Sequence, residues 1–166
     1  MIPLGLDRGG SLLVGRTEGP RRMWLCREST CVQKVVDDPK YLARALRGRP
    51  PSTSNLPKKL RTYFSANLID ALQKAAKSGV IVHGSHRVSL SLSENISAIL
   101  FSADAGTEIR SHIGDKKNKV KTYIIPLSSI EIGVLLGRGP RSVLALMPGR
   151  KTQSLIETLR GWHSLG

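Results

Sequence analysis

The sequence predicts an α/β protein in two modules, a small α+β module over residues 1-52 followed by a three-layer α/β/α sandwich over residues 53-166. Three observations carry that expectation. Gly48-Arg49-Pro50-Pro51-Ser52-Thr53-Ser54 gathers Gly, Pro and hydroxyl residues that break regular structure, so it reads as a linker. Beyond it, segments of helical and strand periodicity alternate. Two of the strands, Ile96-Ser97-Ala98-Ile99-Leu100-Phe101 and Ser142-Val143-Leu144-Ala145-Leu146, are apolar on both faces, as strands covered by helices on each side must be. A chain of 166 residues suffices for one good core with a short module ahead of it. Its 40% hydrophobic and 23% charged residues are the composition of a folded protein.

Ahead of the linker, Met1 to Arg16 offers at most a hairpin around Asp7-Arg8-Gly9-Gly10. Arg22-Met23-Trp24-Leu25-Cys26 suits a short strand. A helix follows over roughly Thr30 to Val36. A second has Asp38 as N-cap and Pro39 at its first position, where a missing N–H is no loss. There Leu42, Ala45 and Leu46 share one face, which turns Arg44 and Arg47 toward solvent or a ligand.

After the linker, Leu68, Leu72 and Ala75 mark one face of a helix ended by Gly79, and Val80-Ile81-Val82 is the next strand. A helix over about Ser85 to Ser93 leads to the strand at 96–101, and a further helix is capped near Asp104. Lys119 to Ile125 is another strand. Ser128 and Glu131 stand at capping-box spacing for a helix running to about Leu136. The strand at 142–146 and a helix over Thr152 to Trp162 complete the order.

The formal net charge is +14, spread as +5, +4 and +5 over residues 1–52, 53–100 and 101–166. Such an excess attracts polyanions, and its even spread implies that both modules contribute to the footprint. A membrane surface is the other common partner of such charge. It is disfavoured, because there is no basic amphipathic helix with an aromatic face, no lipidation motif and no long apolar run. The start Met1-Ile2-Pro3-Leu4-Gly5 lacks a charged leader, which argues against secretion and for a cytoplasmic protein.

Enzyme chemistry finds no pattern to rest on. There is no Gly-rich nucleotide loop at a strand-to-helix turn, no nucleophile elbow and no paired metal-ligand spacing, and His83, His86, His112 and His163 are scattered. Asp104 follows the strongest strand but reads as a helix N-cap. Cys26 and Cys31 lack the second pair a tetrahedral zinc site needs and are expected as buried small hydrophobes. A non-enzymatic protein without metal or cofactor is the expectation.

The seven aromatic residues form no alternating row for stacking on bases, which leaves recognition of backbone and shape, the mode suited to folded RNA. Two stretches fit that task. Gly84-Ser85-His86-Arg87 joins a strand to a helix N-terminus, and Gly137-Arg138-Gly139-Pro140-Arg141 is a loop with two guanidinium groups. An ordinary connecting loop is the plainer reading of each.

The stretch Pro20-Arg21-Arg22-Met23-Trp24-Leu25-Cys26, then Cys31-Val32-Gln33-Lys34-Val35 and Tyr41-Leu42-Ala43-Arg44-Ala45-Leu46-Arg47, resembles the YlxR family of small bacterial RNA-binding proteins. The family's opening Arg-x-Cys segment is absent, and Met1 falls inside what would be its first strand. The second module resembles YlxQ, a bacterial branch of the kink-turn-binding ribosomal proteins (the L-seven-Ae group). That likeness rests on Leu68-Ile69-Asp70-Ala71-Leu72, Ser78-Gly79-Val80-Ile81-Val82-His83-Gly84, Ala98-Ile99-Leu100-Phe101-Ser102-Ala103-Asp104-Ala105 and Leu136-Gly137-Arg138-Gly139-Pro140-Arg141-Ser142-Val143. It implies a sandwich of the ribosomal kink-turn-binding type. Kink-turn binders carry Asn, Glu and, three residues on, Lys after a Gly. Here those positions hold His86, Arg87 and Leu90. Arg for Glu adds a phosphate contact and removes an acceptor for base N–H groups, so affinity is expected to outlast specificity.

These readings together predict an RNA-binding accessory protein of the ribosome or of RNA processing. Arg21, Arg22, Arg44, Arg47, Gly84, Ser85, His86, Arg87, Gly137, Arg138, Gly139 and Arg141 form the expected contact set. The family resemblance points to ribosomal or ribonuclease P RNA as partner, with ribosome association. The alternative is a protein-interaction or oligomerisation module that has given up kink-turn reading.

Overall fold

The computed structural model describes residues 1–15, 22–47, 51–114 and 120–164. By internal contacts the chain divides into unit 1, residues 1–66 with 160–166, and unit 2, residues 67–159. The division falls inside two helices, whereas the compositional break lies near residue 52.

Unit 1 is a small α+β body. Strands β1 (Ile2–Leu6) and β2 (Leu12–Val14) form an antiparallel hairpin, and β3 (Met23–Leu25) pairs with the other edge of β1, giving the order β2-β1-β3. The expected turn at Asp7–Gly10 is held by Asp7, whose carboxylate accepts the Ser11 N–H at 2.8 Å and whose carbonyl accepts the Gly10 N–H at 3.1 Å. Gly10 supplies the positive φ of +81° that the turn needs. Helices α1 (Ser29–Asp37) and α2 (Lys40–Leu46) follow. Asp38 closes α1, its N–H donating to the Lys34 carbonyl. Its carboxylate accepts the Lys40 N–H at 3.0 Å, but α2 starts one residue later than expected, with Pro39 rather than Asp38 at its N-cap. Ile2, Leu4, Leu12, Leu25, Val32, Val35, Leu42 and Leu46 make the core with Leu56, Leu60 and Phe64 of α3 (Leu56–Lys77).

Two further local expectations are corrected. Ala45 is exposed, because α2 buries only Leu42 and Leu46, a stripe too narrow to include it. The stretch read as linker is anchored at its end: Thr53 is buried and its hydroxyl donates to the Val36 carbonyl at 3.2 Å, closing α1 onto the start of α3. Residues 48–50 lie outside the described residues.

Unit 2 is the expected three-layer sandwich. Its elements after α3 are β4 (Ile81–His83), α4 (Ser85–Ser91), β5 (Ala98–Phe101), α5 (Thr107–Gly114), β6 (Lys121–Ile124), α6 (Ser129–Leu135), β7 (Val143–Leu146) and α7 (Arg150–His163). The sheet order is β4-β7-β5-β6, with β7 antiparallel to both neighbours and β6 parallel to β5. Alternation on the two central strands explains the layers. Ala98, Leu100, Leu144 and Leu146 face Leu68, Leu72 and Ala75 of α3, Ile132 of α6, and Leu155 and Leu159 of α7. Ile99, Phe101, Val143 and Ala145 face the other way, onto Val88 of α4 and Ile113 of α5. Among the described residues no helix is long and apolar enough to cross a membrane.

Asp104 does not cap the helix that follows it. α5 starts at Thr107, and the Asp104 carboxylate instead accepts the backbone N–H and the hydroxyl of Ser129, each at 2.8 Å, at the start of α6. The capping box of Ser128 and Glu131 forms as expected. Both carboxyls sit below their ordinary values. For Asp104 the Ser102 hydroxyl acts first, then the hydroxyl and N–H of Ser129. Of these, only the two Ser129 contacts are regular hydrogen bonds, since the buried Ser102 Oγ has no partner of regular geometry. For Glu131 the backbone and side chain of Ser128 are responsible, against the Asp104 charge and burial.

A lowered carboxyl binds its proton later in the folded chain than in the unfolded one. The stabilisation is therefore complete above the ordinary values of 3.8 and 4.5 and is lost as pH falls through the lowered ones. Thermal melting between about pH 7 and pH 3 should show this acid limb. It should be shallower in Asp104→Asn, and an unaltered limb in that variant would remove Asp104 as a cause.

Candidate nucleic-acid interface

The strand order sets the site. β4 ends at His83, which pairs with Leu144 of β7, so the turn leaving β4 meets the loop entering β7. The Gly84 N–H donates to the Val143 carbonyl at 3.3 Å. Phe101 is registered with both Val143 and Ile124, so the ends of β4, β5 and β6 and the start of β7 share one end of the sheet. The two stretches singled out in the sequence, 84–87 and 137–141, are thereby neighbours.

The 137–141 loop is shaped by the end of α6. Gly137, at φ +63°, donates its N–H to the Val134 carbonyl at 3.1 Å, and the Arg138 N–H reaches back to the Gly133 carbonyl at 2.8 Å. This pair of bonds is a Schellman closure, which needs a left-handed residue where Gly137 stands. Gly133 then admits the loop against the helix: a Cβ there would lie 2.4 Å from the Gly139 carbonyl oxygen. The Arg141 N–H donates to the Ser129 carbonyl at 2.8 Å, returning the chain to the first turn of α6.

Arg141 is half-buried and directional. Its Nε donates to His83 Nδ1 at 3.3 Å and its Nη1 to the Pro140 carbonyl at 2.9 Å. Because His83 Nδ1 accepts, the ring is neutral with its proton on Nε2. Burial pushes the His83 pKa below its ordinary value first, and the positive charges of Arg141, Arg138 and Arg87 push it further. Three guanidinium groups from two segments thus act on one imidazole. Arg87 and Arg138 are exposed, as are Ser85, His86, Gly137 and Gly139, while Gly84, at φ +91°, is half-buried and begins α4. Leu90 of α4 is 65% exposed.

The remaining expected contacts belong to unit 1. Arg22 is exposed just before β3, Arg44 is exposed on α2, and Arg47 is exposed after α2 with φ +48°. Arg21 lies outside the described residues. Cys26 and Cys31 are half-exposed thiols rather than buried hydrophobes, and the hydrogen bond to Cys26 is the main cause that raises the Cys31 pKa. Trp24 and Tyr41 are 54% and 56% exposed, two aromatic side chains the sequence reading did not single out. Period-two alternation would have found Trp24, since its neighbour Leu25 is buried.

His83 was also missed as a site residue. Nothing within a few residues of it signals Arg141, its partner 58 residues away.

Unit 2 is thus a three-layer α/β/α sandwich with a basic cluster at one end of its sheet. No family model matches the chain, and no curated protein matches it. Among solved structures it is similar to the Giardia lamblia 15.5kD RNA binding protein, with 17% identity and a TM-score of 0.51 over 63% of this chain and 91% of that one. It is likewise similar to a protein of unknown function from Bacillus halodurans, with 17% identity and a TM-score of 0.52 over 57% of this chain and 98% of that one. At such identity the likeness is one of fold.

Proposed function

We propose that the protein binds structured RNA through its phosphate backbone and performs no chemistry on it. The observation that carries this reading is the gathering of Arg87, Arg138 and Arg141 around neutral His83 at one end of the sheet. The nearby carboxylates of Asp104 and Glu131 are bonded to Ser128 and Ser129 rather than to these arginines. Guanidinium groups present fixed forks suited to phosphate oxygens, and the net charge of +14 adds long-range attraction. The Giardia neighbour's own description as an RNA-binding protein supports the class. The resemblance to YlxR and YlxQ makes the finer reading an accessory protein of ribosome or RNA-processing machinery in the cytoplasm. Ribosomal or ribonuclease P RNA would then be the ligand, and unit 1 would add Arg21, Arg22, Arg44 and Arg47. His86, Arg87 and Leu90 in place of Asn, Glu and Lys make this a reader of shape more than of a kink-turn's base pairs.

The test is a filter-binding titration of a hairpin RNA at several salt concentrations. Binding should fall steeply with salt, and Arg138→Ala with Arg141→Ala should flatten the log–log slope by about one unit per lost phosphate contact. A slope unchanged by the double substitution removes this loop from the interface. A second reading, a protein-interaction or oligomerisation module, is favoured by Ile130 and Val134, exposed one turn apart on α6. Nuclease treatment of the purified protein's associates separates the two, since only an RNA-bridged complex falls apart.

A further inference from the structure

We propose that His83 and Arg141 form a proton-linked phosphate latch: a phosphate oxygen arriving at the arginine cluster takes over the Nε–H that Arg141 donates to His83, and His83 takes up a proton on the Nδ1 so released. The inference rests on the reading of this sheet end as an RNA-backbone site, and adds to it a ligand-driven protonation.

The geometry of Arg141 makes the exchange specific. Its main chain is held by the Ser129 carbonyl, and its guanidinium is oriented by the bonds from Nη1 to the Pro140 carbonyl and from Nε to His83. The edge formed by Nε and Nη2 is the one left to grip a phosphate with two parallel bonds. Half of that edge is occupied, because Nε is bonded to His83 Nδ1 at 3.3 Å. In the free protein the latch is closed, and a phosphate gains the full fork only by displacing the imidazole.

The same bond forbids protonation of His83. A proton on Nδ1 would face the Arg141 Nε–H donor to donor, in a field already positive. The charged groups facing His83 are Arg141 and Arg138 from the loop before β7 and Arg87 from α4, all cationic. His86 is the other titratable side chain of α4. Burial and these three charges hold the imidazole neutral to a lower pH than usual. A phosphate between the guanidinium groups cancels much of their field and takes Nε away from Nδ1. Both obstacles to protonation then go together, and the proton comes from solvent. Because linkage is reciprocal, whatever raises the proton affinity of His83 on binding phosphate must raise phosphate affinity on acidification.

The experiment follows His83 in the full-length protein by NMR titration, free and with inorganic tripolyphosphate or a hairpin RNA. RNA affinity is measured in parallel between about pH 7.5 and 6. The His83 midpoint should rise with either ligand, and RNA affinity should increase by up to about tenfold per pH unit for one linked proton. His83→Gln, whose amide oxygen still accepts from Nε but does not titrate, should lose that pH dependence. His163→Gln, at an exposed position of α7, should keep it. A His83 midpoint that stays put on adding tripolyphosphate overturns the latch, as does a pH dependence that survives in His83→Gln. If tripolyphosphate moves the midpoint but RNA is bound at no pH, the latch stands and the RNA reading fails. If wild-type protein binds RNA equally at all these pH values, the RNA reading stands and the latch fails.

Discussion

Leu144→Ala should lower the unfolding free energy by about 2 to 5 kcal/mol, read as a shift of the urea midpoint, the range for truncating a fully buried leucine that leaves a cavity. Leu144 has no exposed surface and lies on β7, a central strand with neighbours on both sides. It packs into the layer built by α3, α6 and α7. Ile130→Ala, on the exposed side of α6, should stay within about 0.5 kcal/mol and serves as the control. Equal midpoints for the two variants would mean that the layer assignment is wrong.

Gly133→Val should act on stability and on binding together. The new Cβ would sit 2.4 Å from the Gly139 carbonyl oxygen and 2.9 Å from that of Arg138, and backbone cannot turn aside as a side chain can. Either α6 bends or the loop lifts away, at about 1 to 3 kcal/mol. Lifting the loop breaks the Arg138 N–H bond to the Gly133 carbonyl and carries Arg138 and Arg141 away from His83. RNA affinity should then fall by about tenfold or more, a loss of roughly 1.4 kcal/mol. A variant that loses stability but binds RNA as well as the parent would show that the loop's shape is irrelevant to the ligand.

What could be read from the sequence was what local chemistry decides. The apolar runs at 96–101 and 142–146 announce central strands because no other arrangement hides side chains on both faces. Ser128 with Glu131, and Gly79 and Gly137 at helix ends, act within a few residues of themselves, so their spacing suffices. Ala45 misled because helical spacing says which residues share a face but not how wide the buried stripe will be. Asp104 misled because its partner, Ser129, lies 25 residues on, and a carboxylate after a strand looks the same whichever helix it serves. The stretches 84–87 and 137–141 were each visible, but not their meeting, which follows from the antiparallel pairing of β4 with β7. For the same reason His83 looked like one scattered histidine until the strand order placed Arg141 beside it.

The division of labour within the sheet has a practical side. Residues 84–87 and 137–141 hang from strand ends, whereas the layers behind them are specified by the buried side chains of β5 and β7. Segments transplanted from other sandwiches of this shape, with the glycines at 133 and 137 retained, can therefore be exchanged at the rim while the interior stays as it is. Such chimaeras offer a compact chassis for testing which rim segments hold a ligand.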